Sequence, residues 1–186
     1  MILLLILVVG LVAALWVMLS YNSLISLKNQ TLNGWKQIDV QLKRRHDLIP
    51  NLVESVKGVM KFEQTTLTQV IEARNKAISA QGIAEKAAQE NVLSGALRQL
   101  FALVENYPNL KSNENVAKLQ EELVTTENRI GFARQFYNDI ATQFNIVQQK
   151  FPTNIIAKLF GFKISELFEI TNAQEREVPK VDLNLK

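Results

Sequence analysis

Residues 116–151 read VAKLQEELVTTENRIGFARQFYNDIATQFNIVQQKF, and apolar or small side chains recur in this stretch at alternating steps of three and four. Such steps place side chains on one face of an α-helix, and their persistence over about five heptads is typical of a seam against another helix. The stretch predicts one long helix of a bundle, ended by Pro152. The seam positions are Val116, Leu119, Leu123, Thr126, Ile130, Ala133, Tyr137, Ile140, Phe144, Val147 and Phe151.

Two further helical patterns precede this one. Residues 28 to about 80 carry an apolar stripe at spacings of three and four, which predicts one helix that ends before Gly82. The other covers about residues 85–106 and stops before Pro108, after which Ser112 or Asn113 is placed to cap the long helix. No strand-like alternation is present, so we predict an all-α fold with a bundle of three to four helices.

The first twenty residues, MILLLILVVGLVAALWVMLS, predict a membrane anchor because they carry no charged side chain. Between Ile2 and Leu19 a helix rises about 27 Å, close to the hydrocarbon thickness of about 30 Å. A cleaved signal peptide is the alternative, but no basic side chain precedes the apolar run. The predicted partition is residues 1–20 as the transmembrane anchor, 21–171 as a helical bundle and 172–186 as a polar C-terminal tail.

Charge is unevenly distributed, although the net charge is only +3. Residues 28–61 hold seven Lys or Arg and three Asp or Glu, and this excess after the span favours a cytoplasmic position for the helical domain. So small a net charge gives no expectation of nucleic-acid binding. The predicted location is the cell membrane, crossed once, with the lipid bilayer contacted through residues 1–20.

Side chains that carry catalysis or hold cofactors are scarce. The chain has no cysteine and one histidine, which excludes disulfides, thiolate chemistry and a metal site with two His ligands. The seven glycines are too dispersed to form a phosphate-binding loop, and one His gives no ground for a catalytic triad. We therefore predict no catalytic residue, no metal site and no cofactor.

The stretch QIDVQLKRRHDLIPNLVE, residues 37–54, holds the best candidate for a specific site. Pro50 lies inside the predicted helix, where it should bend the chain and free the carbonyl of His46. Arg45 takes a position in the apolar stripe, where a charge is costly unless it is paired. The possible partners of Arg45 are Glu127, Asp139 and the freed carbonyl.

Two interpretations of this stretch remain open. In the first, Arg45, His46 and Pro50 form a polar docking site at a helix kink. In the second, residues 43–45 form an ordinary solvated face and His46 is a surface residue, because runs of charge usually face water.

The segment FPTNIIAKLFGFKISELFEI, residues 151–170, is dense in apolar side chains for the end of a bundle. These side chains could cap the open end of the bundle, which would otherwise expose apolar layers to water. Alternatively they could enter a membrane interface or bind a partner. Ser165 and Glu166 could open a last helical turn within the segment.

Several segments, taken together, resemble the LemA family of bacterial membrane-anchored helical proteins. The resemblance rests on WKQIDVQLKRRHDLIPNLVESVKG at 35–58, ENYPNLK at 105–111 and RIGFARQFYN at 129–138, with FPTNIIAKLFGF and EVPKVDL near the C-terminus. It implies an elongated antiparallel bundle behind one transmembrane helix. The resemblance supplies no catalytic residue. It suggests a role in membrane biogenesis, because one relative in this group takes part in forming the magnetosome membrane.

We therefore predict a single-pass, membrane-anchored helical binding or scaffold protein. Its expected protein partner is a second copy of the chain or another membrane protein. A membrane-remodelling or membrane-biogenesis factor is the first alternative, and an enzyme with an unrecognised site is the second.

Overall fold

A computed structural model describes residues 1–60 and 63–168. Within these residues the chain forms helices and no strand, which confirms the all-α fold class. The predicted polar tail at 172–186 lies outside the described residues. The helices are α1 Ile2–Lys57, α2 Gln64–Ser79, α3 Ile83–Val104, α4 Pro108–Lys111, α5 Glu114–Gln149 and α6 Thr153–Leu159.

Helix α1 joins the apolar N-terminal stretch to the bundle without a break. Its 56 residues rise about 84 Å, and the predicted boundary between residues 20 and 21 falls inside it. The apolar window near its N-terminus is long enough to cross a membrane, and none of that window is buried within the protein. Partial burial of α1 against other elements begins at Trp16, and Leu24 is its first fully buried residue. The candidate membrane span and the first bundle helix are therefore one continuous rod.

The expectation of a single helix from residue 28 to about 80 is wrong. α1 ends at Lys57, and α2 begins at Gln64 and returns alongside it. The apolar stripe on both sides of the break lies in one core, where Val56 and Met60 pack in the same cluster as Val70. An unbroken helix would leave these two stretches without apolar partners, and Gly58, a weak helix former, marks the break in the sequence.

The long helices α1 and α5 pack antiparallel as the backbone of the bundle. Gly34 on α1 lies so close to α5 that an added Cβ would be 3.4 Å from the Cα of Tyr137. Further along α1, Arg45 reaches Glu127, so positions rise on α1 as they fall on α5. The α2–α3 hairpin covers this pair from Ala87, which packs in one cluster with Ile38, to the end far from the N-terminal apolar stretch.

Three apolar clusters follow one another along the rod. The proximal core lies next to the span and contains Leu24, Leu27, Phe144, Ile156 and Ala157. The middle core contains Ile38, Leu42, Ala87, Ile130, Ala133, Tyr137, Ala141 and Phe168. The distal core contains Ile49, Leu52, Val53, Val56, Met60, Leu67, Val70, Ala73, Ala77, Leu93, Leu97, Leu100, Val104, Leu110, Val116 and Leu123.

The predicted seam of α5 matches the buried face at most positions. Asn113 caps this helix by accepting hydrogen bonds from the backbone N–H groups of Asn115 at 3.0 Å and Val116 at 3.3 Å. Phe151 departs from the prediction because α5 ends at Gln149, and its side chain is 81% exposed. The buried seam members are Val116, Leu123, Thr126, Ile130, Ala133, Tyr137, Ile140 and Phe144.

Residues 162–168 form an extended segment, which we call the strap, rather than the helical turn expected at Ser165 and Glu166. Two asparagines of α5 hold its backbone. Asn145 donates to the Ser165 carbonyl at 2.9 Å and accepts from the Ser165 N–H at 2.8 Å. Asn138 pairs with Phe168 in the same two-bond manner, at 3.1 and 2.8 Å. Side-chain amides thus replace the backbone bonds that a helix would make.

Tyr137 adds a third bond to the strap. Its hydroxyl donates to the carbonyl of Glu166 at 2.7 Å. Burial, together with the nearby Glu166 carboxylate, raises the pKa of Tyr137 above its usual value. The phenol therefore stays protonated and keeps its donor role over the physiological pH range.

The segment from residue 151 to 170 was predicted either to cap the bundle or to face a membrane or partner. Part of its described residues caps the bundle, and contact with a membrane or partner stays a prediction. Ile156 and Ala157 are buried in the proximal core, and Phe168 is buried in the middle core. Other apolar side chains of the segment remain uncovered by the protein: Phe151, Ile155, Leu159, Phe160 and Ile164.

Candidate functional site

A buried polar layer separates the middle core from the distal core. On α1, Arg45 lies between Leu42 of the middle core and Ile49 of the distal core. On α3, Glu90 lies between Ala87 and Leu93 in the same way. Arg45 and Glu90 are fully buried, so this layer holds charged side chains in the interior of the helical body.

The guanidinium of Arg45 connects three helices. One terminal nitrogen, Nη2, donates to the Glu90 carboxylate and, at 3.3 Å, to the Glu90 backbone carbonyl. The other, Nη1, donates to the Glu127 carboxylate on α5 and to the Ser94 hydroxyl on α3 at 2.9 Å. The Ser94 hydroxyl in turn donates to Glu127 at 3.0 Å. A rigid, planar guanidinium suits such a junction because its donors point in fixed directions.

His46 completes the layer from the side of α1. Its Nε2 lies 2.7 Å from the Glu90 carboxylate. Burial by itself would raise the pKa of Glu90, but the His46 hydrogen bond and the charge of Arg45 outweigh burial and lower it. Glu90 is therefore an ionised carboxylate at neutral pH.

The carbonyl of His46, which Pro50 was expected to free, has a donor from another helix. Nε of Arg74 on α2 donates to it at 2.7 Å. α1 continues through Pro50 to Lys57, so the proline is accommodated inside a helix. The missing N–H of Pro50 thus leaves an acceptor that ties α2 to α1.

The interpretation as a solvated face holds for only part of the basic run. Lys43 and Arg44 are exposed, and Arg44 forms a surface ion pair with Glu122 at 3.6 Å. A solvated face is wrong for Arg45 and His46, since both are buried. Arg45 is buried because it occupies a seam position of α1, and its burial is tolerated because carboxylates pair with it there. His46, the next residue, is buried beside it.

Of the three partners predicted for Arg45, Glu127 is confirmed. Asp139 lies twelve residues further along α5, which is about 18 Å along the helix. The freed carbonyl binds Arg74 and not Arg45. Sequence reasoning missed Glu90, although a signal existed: this acid interrupts the apolar face of α3 between Ala87 and Leu93, as Arg45 interrupts that of α1.

The layer reaches the protein surface at Glu127, whose side chain is 43% exposed. Beside it, a groove of about 410 Å³ runs between α3 and α5. Apolar and polar side chains both line the groove. The apolar ones are Leu97, Phe101, Leu123 and Val124, and the polar ones are Asn91, Ser94, Arg98, Glu127, Asn128 and Arg134. The docking role of Arg45, His46 and Pro50 stays a prediction.

The arrangement is suited to fixing how the helices align. A shift of α5 by one heptad along α1 would carry Glu127 about 10 Å away and bring Gln120 or Arg134 to its place, so Arg45 would lose one of its two carboxylates. Among residues 1–60 and 63–168, no group of three or more His, Asp or Glu side chains is placed to hold a metal ion.

Acidification tests the charge state of the layer. Because the folded protein lowers the pKa of Glu90, the stabilisation from its carboxylate is fully present above about pH 4.3, the usual value in an unfolded chain, and is lost as the pH falls through the folded value. We expect the unfolding free energy of the wild type to fall more steeply below pH 5 than that of Glu90→Gln.

The measurement is a urea titration in mild detergent at a series of pH values, followed by helical circular dichroism. Glu121→Gln is the matched control because Glu121 is an exposed carboxylate on α5. Equal acid dependence in Glu90→Gln and in the wild type would contradict an ionised Glu90 in the buried layer.

Comparison with known proteins places this helical architecture in a family. The family model described as LemA family matches residues 34–183. The chain belongs to the LemA family. The match includes Arg45 and His46 on α1, all of α3 and all of α5, so the polar layer lies entirely within the region that LemA proteins share with this chain.

Individual relatives of this LemA protein are distant but extend over most of the chain. Protein LemA of Metamycoplasma hominis is 28% identical, covering 88% of this chain and 73% of the relative. Magnetosome protein MamQ 2 of Paramagnetospirillum magneticum is 26% identical, covering 87% and 68%. Magnetosome protein MamQ of Magnetospirillum gryphiswaldense is 25% identical, covering 81% and 65%.

Proposed function

We propose that this LemA-family chain is a single-pass, membrane-anchored scaffold that binds a partner with its helical body and performs no catalysis. The observation that carries the proposal is the continuity of α1 from Ile2 to Lys57. A rod that continues the membrane span holds its side faces at fixed heights above the bilayer. Such geometry suits the presentation of a docking face to another protein at the membrane.

The face best suited to a partner is a groove of about 530 Å³ between α1 and α5, which we call the side groove. Its wall exposes three apolar side chains, with Val40 63%, Phe132 73% and Phe136 44% exposed. Lys36 and Arg129 provide positive charge in the same groove. These features complement an amphipathic helix whose apolar stripe is flanked by acidic residues.

The chemistry of the polar layer supports a role without catalysis. Ser94 is the nearest hydroxyl to the charges, but it donates to Glu127, whose carboxylate is also paired with Arg45. Both carboxylate oxygens of Glu127 thus accept a hydrogen bond, one from Ser94 and one from Arg45, as in a structural ion pair. His46 is engaged by Glu90, away from the groove.

Photo-crosslinking in native membranes tests the scaffold proposal. With p-benzoylphenylalanine in place of Phe132, we expect a specific adduct with a membrane protein or with a second copy of the chain. The matched control places the same group at Lys118, an exposed position on α5 outside the side groove. Adducts that are no stronger at position 132 than at 118 would remove the support for this face.

A cytoplasmic position of the helical body is the orientation we propose, on the strength of the basic residues that follow the span. The chain has no native cysteine, so Ala117→Cys introduces a single thiol on an exposed part of α5. We expect a membrane-impermeant maleimide to label it only after the cells are opened. Labelling in intact cells would reverse the orientation.

Membrane biogenesis is the second candidate function, and the two relatives named as magnetosome proteins favour it. Purified full-length chain in giant vesicles should then change their curvature at high surface density. Vesicles that stay spherical at every density would speak against this candidate and leave the scaffold proposal intact.

A further inference from the structure

The end of α5, the turn after it and α6 present an unusual combination of exposed apolar side chains. Phe151 is 81% exposed, Leu159 74%, Ile155 55% and Phe160 52%. We call these four side chains the apolar collar. The collar side chains do not form part of the proximal core, which α6 fills with Ile156 and Ala157 instead. Apolar groups of this size in water are unfavourable unless another apolar phase covers them.

The height of the collar follows from the antiparallel packing. Gly34 faces Tyr137, so the last residue of α5, Gln149, twelve residues after Tyr137, lies level with about residue 22 of α1. A direct contact agrees with this height, since the rings of Phe160 and Tyr21 are 4.7 Å apart. Trp16 and Val17 of the apolar stretch pack against the same core as α6. The collar therefore lies at the edge of the hydrocarbon that residues 2–19 would cross.

The charges around the collar are of one sign. Residues 140–165 contain Lys150, Lys158 and Lys163 and no Asp or Glu. All three lysines are exposed. On the facing part of α1, the ammonium group of Lys28 lies 5.9 Å from the centre of the Phe162 ring. Apolar side chains interspersed with lysines at the height of lipid headgroups fit an anionic membrane surface.

We propose that the apolar collar inserts into the interface of the same bilayer that α1 crosses, with Lys150, Lys158 and Lys163 against anionic lipid headgroups. The protein then contacts the membrane twice, through a span and through a monotopic surface beside it. Because α6 is tied to α1 through the proximal core, the second contact fixes the tilt and rotation of the rod relative to the membrane. This proposed contact is with lipid, and it is independent of the proposed binding of a partner in the side groove.

Lipid-dependent quenching tests the insertion on the full chain. Phe151→Cys and Leu159→Cys each introduce the single thiol of the protein, to which a fluorophore is attached. The protein is placed at one copy per nanodisc, in phosphatidylcholine with phosphatidylglycerol and a nitroxide on the acyl chain. We expect both labels to be quenched at least about twofold more than a label at Thr142→Cys. Thr142 is exposed on α5, nine residues before Phe151 and about 14 Å further from the span.

Charge reversal tests the lipid preference. In the Leu159→Cys background, Lys150→Glu, Lys158→Glu and Lys163→Glu together should reduce the quenching in phosphatidylglycerol discs to the level of the Thr142 label. The matched control reverses three exposed lysines elsewhere, Lys43, Lys76 and Lys118, and should leave the quenching unchanged. Circular dichroism of each variant separates loss of insertion from loss of folding.

Three outcomes would overturn the proposal. Collar labels quenched no more than the Thr142 label would show that the collar stays in water. Labels shielded from water but not reached by the nitroxide would show that protein covers the collar. Equal quenching in neutral and anionic discs, unaffected by the charge reversal, would remove the preference for anionic lipid.

Discussion

Arg45→Met is expected to destabilise the helical body by about 3–5 kcal/mol, the cost of removing the arginine from a buried carboxylate that then keeps only His46. The variant removes the donors that hold Glu90 and Glu127. Glu127 is 43% exposed and can turn to water, but Glu90 is fully buried. The measurement is a urea titration in mild detergent, followed by helical circular dichroism. Tryptophan fluorescence in a Trp16→Phe background follows Trp35, which packs against the middle core.

A double variant separates the charge effect from the loss of packing. Arg45→Met combined with Glu90→Gln has no buried carboxylate left unpaired, so we expect it to recover at least about half of the lost free energy. Arg44→Met is the matched control, because the Arg44–Glu122 pair is at the surface and its loss should cost about 0.5 kcal/mol or less. A cost for Arg45→Met as small as that of Arg44→Met would contradict the buried network.

Replacement of Asn138 or Asn145 by Ala is expected to free the strap from α5. Each asparagine makes two hydrogen bonds with the strap backbone, so each replacement should lower the free energy of local opening by about 2 kcal/mol. The amide protons of Ser165 and Phe168 should then exchange with solvent about 30-fold faster, as followed by NMR or mass spectrometry. The rest of the bundle should keep its exchange protection.

The donor and acceptor roles of these asparagines can be tested separately. Asn145→Asp keeps an oxygen that accepts from the Ser165 N–H but loses the donor to the Ser165 carbonyl. It should therefore open the strap to an intermediate extent. Asn128→Ala, at an exposed position of the same helix, is the control and should leave the strap unchanged. Unchanged exchange at Ser165 in Asn145→Ala would show that apolar packing alone holds the strap.

Periodicity predicted the helical elements because it reports which face of a segment is buried. The seam of α5 and the cap at Asn113 could both be predicted from local sequence. The end of α1 at Lys57 could not, because the apolar stripe continues through the break and serves two helices that face each other. A one-dimensional pattern does not distinguish one long amphipathic helix from two halves folded back together.

The candidate site shows the same division. An arginine at a seam position indicated that a carboxylate must lie opposite, and Glu127 was among the predicted partners. Glu90 also interrupts the apolar face of its helix, but this signal does not pair it with Arg45. Glu90 follows Arg45 by 45 residues and comes from a helix whose alignment with α1 is set by the whole bundle. The strap was also missed, since its bonds join backbone groups to asparagines that face it only after folding.

The sequence by itself determined the apolar span, the all-α class, the long seam and membership of the LemA family. These are local properties, set by composition and by the period of apolar residues along single segments. Only the tertiary structure decided that Arg45 and His46 are internal, that α2 returns along α1 and that the collar stands beside the span. Each of these three features depends on which segments pack against each other. The packing that forms is the one that leaves the least apolar area exposed and the least charge unpaired over the whole fold.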